Sequence, residues 1–162
     1  MNAFSKIKGL TKLDLGKYQS SFVSANRKDN RIDLSYYFNA ETKHLFAKIF
    51  FGKFAQGPPN HVHGGAISAV LDESMGVASW INKFPVMTAK LTTEFLRPVP
   101  LGIDILVEAW VEKSTVKKVI GKSILTDSAG IIYAKANGLF IILELEKFKE
   151  MGALPDEYIR HL

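Results

Sequence analysis

The sequence predicts an α+β domain in which a curved antiparallel sheet wraps around one long central helix. Two observations carry this: a single apolar helical run from Gly64 to Ile81, and strand-like alternation on both sides of it, with four successive strand candidates after it. The 162 residues, 47% of them hydrophobic, suffice for one domain with a core, because a chain of this length buries roughly 70% of its unfolded surface.

Residues 1–30 are mixed and polar and read as an N-terminal extension, in which Ile7, Leu10, Leu13 and Leu15 fall at helical spacing and point to a short helix. Residues 34–38 and 44–51, separated by a turn, read as a hairpin of two strands. Gly57, Pro58 and Pro59 end the hairpin, since proline cannot continue a strand, and lead through His61, Val62 and His63 into the helix. Asn82 and Pro85 stop that helix. Residues 86–98, 103–113, 117–126 and 131–145 then read as strands, with turns at 114–116 and 127–130. In the first of them Met87, Ala89, Leu91, Thr93 and Phe95 alternate with Thr88, Lys90, Thr92, Glu94 and Leu96, which puts Thr88 on the polar face. Gly138 reads as a bulge in the last strand. The domain so delimited spans 31–148, with a tail at 149–162.

The helix carries the chemistry. Gly64 and Gly65 open it, and glycine at a helix start lets a ligand approach free backbone N–H groups and the positive end of the macrodipole, a setting suited to an oxyanion. Asp72 and Glu73 are the only charges between Gly65 and Ile81. Gly65, Ser68, Asp72, Gly76 and Ser79 recur at spacings of 3, 4, 4 and 3, a stripe of small and polar groups that leaves room beside Asp72. A solvated surface carboxylate is the competing reading of Asp72. Glu73, about 100° further round, lies among Ala66, Ala69, Val77 and Trp80 and reads as a rim or interface residue.

Composition removes other classes. Without cysteine the chain has neither disulfides nor thiolate chemistry, and the pair His61 and His63 lacks the further ligands of a metal site. Residues 1–9 lack the apolar core of a secretion signal and no run of 18 apolar residues exists, so a cytoplasmic protein without membrane insertion is the expectation. The net charge of +5 comes from dispersed lysines with no nucleic-acid-reading motif, which favours an anionic small molecule over nucleic acid. Lys90, Arg97, Lys117, Lys118 and Lys122 are placed to meet a polyphosphate, against a plain solvated surface for each taken singly.

The order of elements, His63-Gly64-Gly65, Asp72 nine positions after His63, Gly76, and the run from Val86 to Pro100 with Met87-Thr88-Ala89 together resemble the hotdog-fold acyl-CoA thioesterases. The likeness is to the PaaI-like group and its thioesterase superfamily member 4 branch, from about Ile49 to Leu143. It implies a hotdog fold, an acyl-CoA substrate with no cofactor beyond the CoA it carries, and a homodimer or homotetramer. Gly64 and Asp72 lie eight residues apart on one helix, about 12 Å along its axis, so a single carbonyl group cannot touch both. Any mechanism that uses both therefore draws them from two subunits.

The resemblance then gives the Gly64 amide the polarisation of a thioester carbonyl and Asp72 of the partner subunit the role of general base or nucleophile. His63 contacts the thioester or orients the helix entry, Thr88 positions water or bonds Asp72, and Asn60, Gly65, Arg97, Lys117 and Lys118 serve substrate binding. A hydratase of the same fold needs a histidine where Val77 stands. A non-catalytic acyl-CoA-binding module is the other alternative.

Overall fold

A computed structural model describes residues 7–13, 22–23 and 31–150. In chain order its elements are β1 (Leu10–Lys12), β2 (Ile32–Asn39), β3 (His44–Phe51), α1 (Gly64–Ile81), β4 (Val86–Phe95), β5 (Asp104–Ser114), β6 (Lys118–Asp127), β7 (Ile132–Ile142) and α2 (Leu145–Glu150). Among the described residues seven strands form one sheet in the order β1-β2-β3-β5-β6-β7-β4, with every neighbouring pair antiparallel. The helix α1 touches β3, β4, β5, β6 and β7, so the sheet wraps it as expected.

Packing explains the arrangement. Ile67, Val70, Leu71, Met75 and Ala78 of α1 are buried against Ile49, Val107, Ala109, Leu125, Ala136 and Phe140 of the sheet. Each large apolar side chain buried there stabilises the fold by about 1.5–3 kcal/mol. Ser74 and Ser79 share this buried face and donate their hydroxyls to the carbonyls of Val70 and Met75, at 2.6 and 2.9 Å. Ser79 therefore leaves the open stripe expected around Asp72, because its hydroxyl is satisfied within the helix itself.

Four further expectations change. The helix expected around Leu10 is instead the strand β1, whose residues pair with Tyr37, Phe38 and Asn39 of β2; a free sheet edge outweighs a weak helical spacing, and Leu15 lies outside the described residues. The sheet thus begins before residue 31. Gly138 is no bulge: it pairs regularly with Gly121, and a Cβ on it would collide with the Phe140 ring, so close approach of the ring demands glycine. The last strand stops at Ile142, and residues 145–150 form α2, with Phe148 buried and its ring edge-on to Trp80 at 4.9 Å.

The fourth change concerns β4, an edge strand. Its register to β7 shifts between Thr88, opposite Phe140, and Lys90, opposite Leu139, which leaves Ala89 as an extra residue. Residues directly opposite share a face, so Thr88 lies on the helix side with buried Phe140, and beyond the bulge Leu91 and Thr93 take that side opposite Gly138 and Ala136. Simple alternation put Thr88 and Leu91 on opposite faces. The bulge reverses the phase and turns Thr88 inward, while Met87 is left 43% exposed.

Candidate active site

The start of α1 is held by main-chain bonds to two flanking segments. Val62 N–H donates to Val99 O at 2.9 Å, His63 N–H to Ala55 O at 2.8 Å, and Gly57 N–H to His61 O at 3.0 Å. A Cβ on Gly57 would come within 2.8 Å of His63 Cα, so the chain passes there only as glycine. His63 is the N-cap: its backbone is extended at φ −63° and ψ 134°, and its Nδ1 accepts the Gly65 N–H at 2.9 Å. Because Nδ1 accepts, the proton of the neutral ring lies on Nε2.

This cap decides which amide is available. The Ala66 and Ile67 N–H groups both donate to His63 O, at 2.9 and 3.2 Å. Gly65 is engaged by the imidazole, so among the described residues the Gly64 N–H alone in the first turn has no partner. Gly65, expected to contact substrate, has its amide committed to the cap. Phe95, at the end of β4, lies over Gly64, with its Cζ 3.4 Å from where a Cβ would stand.

Two turns along α1, Thr88 Oγ1 donates to Asp72 Oδ1 at 3.0 Å. Both residues belong to one chain, so their pairing needs no partner subunit; it needs the bulge at Ala89. Burial pushes the Asp72 carboxyl above its ordinary value of 3.8, and the Thr88 hydroxyl, which favours the ionised form, offsets part of that rise. A half-buried carboxylate with a raised proton affinity, whose second oxygen has no partner among the described residues, is equipped to accept a proton. Glu73, read as a rim or interface residue, is half-buried and accepts the Tyr36 hydroxyl of β2 at 3.0 Å.

The remaining expected residues sit further out. Asn60 adopts the left-handed conformation at φ 62°, its N–H donates to Gln56 Oε1 at 3.1 Å, and its carbonyl accepts the Leu101 N–H at 3.0 Å, all of which shape the turn before His61. Arg97 is exposed and donates to Ile132 O at 2.6 Å, just past the Phe95 end of β4. Lys117 and Lys118 are exposed beside the opposite end, since Lys118 pairs with Ile141, which pairs with Met87. At 3.3 Å per residue the two cationic groups of one chain lie roughly 30 Å apart. Sequence reasoning missed the bulge and Phe95. A Thr-Ala-Lys run carries no mark of an extra residue.

Residues 59–119 match the thioesterase superfamily. The chain carries a thioesterase-superfamily domain. The acyl-coenzyme A thioesterases THEM4 of Xenopus laevis and Bos taurus are 30% and 33% identical to it over 108 and 110 residues, or 66% and 67% of this chain. Those alignments cover 49% and 45% of the relatives, so the chain spans about half the length of the curated relatives it matches. Among solved structures, a thioesterase superfamily protein aligns with a TM-score of 0.62 at 28% identity, over 67% of this chain and 53% of that one. A Streptococcus mutans protein solved with acetyl-CoA bound aligns with a TM-score of 0.63 at 17% identity, over 76% of this chain and 97% of that one. The thioesterase domain has the hotdog fold, and no described helix is long and apolar enough to cross a membrane.

Proposed function

We propose that the domain hydrolyses acyl-CoA thioesters, at a site made by two copies. The observation that carries this reading is the division of labour along α1: one unpartnered amide at Gly64 and one half-buried carboxylate at Asp72, held by Thr88 and too far away to serve the same carbonyl. The curated relatives are named acyl-coenzyme A thioesterases, which supports the substrate class.

The edge strand supports the dimer. Met87 and Phe95 of β4 and Leu96 just after it are exposed at 43%, 52% and 41%, an apolar border on an unpaired sheet edge. Antiparallel pairing of two β4 strands about their middles sets the Thr88 end of one opposite the Phe95 end of the other, and so brings Asp72 toward Gly64 of the partner subunit. The same two-fold brings Lys117 and Lys118 toward Arg97 of the partner subunit, which collects cations for the CoA phosphates.

In the reaction Asp72 takes a proton from water as the water oxygen bonds to the thioester carbon. The carbonyl electron pair moves onto oxygen, where the Gly64 N–H of the partner subunit receives it. Collapse breaks the C–S bond, the sulfur leaves as thiolate, and Asp72 returns the proton to it. The products are the free acid and CoA.

The direct test is CoA release from a panel of acyl-CoAs by the purified chain. Tight binding of acyl-CoA with no release identifies a binding module and overturns hydrolysis. Thr88→Val makes a finer prediction. Without the hydroxyl the Asp72 carboxyl rises further, so the acid limb of kcat/KM against pH moves to higher pH; an unmoved limb means that Thr88 does not tune the base.

A further inference from the structure

The far end of α1 borders a cavity that the thioester chemistry does not use. About 220 Å³ in volume, it is walled by Thr42, Lys43 and His44 where β2 turns into β3, by Asn82 and Phe84 just after α1, and by Trp110 of β5. Asn82 stands ten residues past Asp72, about 15 Å further along the helix axis and away from Gly64. β3 and β5 lie across the sheet from the β4 edge, so the cavity is outside the contact proposed between two copies.

Its walls are fixed by cross-links. Asn82 Nδ2 donates to Lys43 O at 3.1 Å and to Ala78 O at 2.8 Å, which ties the turn to the helix end. The His44 ring stacks on the Trp110 indole, with centroids 5.3 Å apart and planes inclined by 12°, and its Nδ1 donates to Glu108 Oε1 at 2.6 Å. The Trp110 indole N–H donates to Glu112 Oε2 at 3.0 Å, and Lys122 Nζ donates to Glu112 Oε1 at 2.8 Å. Glu108 and Glu112 are thereby both engaged.

Lys43 is different. Its Nζ stands 6.0 Å from the centre of the Phe38 ring and has no ion pair among the described residues. Its backbone is left-handed at φ 64°, where glycine would cost less, so what lysine contributes at this position is its ammonium. Beside it the Thr42 hydroxyl accepts the His44 N–H at 3.4 Å and keeps its own proton to donate.

We propose that this cavity binds a small aromatic monocarboxylate, its ring against Trp110 and Phe84 and its carboxylate on the Lys43 ammonium and the Thr42 hydroxyl. An apolar space of about 150 Å³ holds benzene, so this cavity has room for one ring and one carboxylate. Aromatic walls favour a planar ring, and an ammonium without a counter-ion favours an anion over a neutral ligand.

The test is calorimetric titration of the purified chain with benzoate, benzamide and acetate. Benzoate is expected to bind saturably below about 10 mM; benzamide, which keeps the ring and loses the charge, binds about 10-fold more weakly, and acetate, which lacks the ring, does not bind in that range. Lys43→Gly is expected to keep the fold by circular dichroism, because glycine suits φ 64°, and to lower benzoate affinity about 10-fold, to the level of benzamide. Asp72→Asn, which alters only the thioester site, is expected to leave benzoate affinity unchanged. Absence of saturable benzoate binding overturns the proposal, as do equal affinities for benzoate and benzamide, or wild-type benzoate affinity in Lys43→Gly. Binding that Asp72→Asn abolishes overturns it too, since the acid then occupies the thioester site.

Discussion

Asp72→Asn is expected to leave a folded domain and to lower acyl-CoA turnover by about 10²–10⁴-fold, the range that a positioned general base contributes. Asparagine keeps the size and an oxygen for the Thr88 hydroxyl but cannot take a proton from water. Stability is expected to move the other way. The folded-state value of Asp72 lies above its ordinary 3.8, so the fold disfavours the ionised form. Below 3.8 the carboxyl is protonated in both states and the penalty vanishes; as pH rises through the folded value the penalty becomes complete. The variant should therefore gain Tm over the wild type at neutral pH and lose that advantage in acid. Steady-state turnover and melting at pH 3 and pH 7.5 check both halves. Near wild-type turnover in the variant removes Asp72 from the reaction.

Gly64→Pro is expected to cost about 10²–10³-fold in kcat, the effect of deleting one oxyanion donor, with little loss of fold. Proline is favoured at the first helical position because its fixed φ suits the helix and its missing N–H belongs to a group already without an intrahelical partner. His63 has the extended backbone that a residue before proline requires. The nearest obstacle to a Cβ is the exposed Phe95 ring at 3.4 Å, a side chain with room to turn. Circular dichroism and size exclusion establish the fold, and turnover reads the donor. A Gly64→Pro protein that is folded, dimeric and fully active shows that another group polarises the carbonyl. Gly64→Ala, which keeps the N–H, is the matched control for the added bulk.

Much of this site was legible along the chain because its parts are local. The helix Gly64–Ile81 is announced by its glycine start, its apolar run and its Asn82 and Pro85 stop, and Asp72 stands out as a charge in that run. The His63 cap, two residues from the amide it holds, is equally local. Thr88 is the counterexample. Alternation alone turns it away from the core face, and only the register shift against β7 turns it toward Asp72. The same limit applied to β1, where a helical spacing gave way to pairing with β2.

Taken alone, the sequence determined the wrapped-helix architecture, the position of Gly64 at the helix start and the roughly two turns separating it from Asp72, because periodicity and capping depend on neighbours within a few residues. The tertiary structure decided that Thr88 reaches the carboxylate and that Leu10–Lys12 joins the sheet as β1. Each of these depends on where a second segment lies in space: β7 against the extra residue of β4, and β2 beside β1. Strand register and side-chain reach between segments are set by packing across the fold, and no spacing along the chain records them.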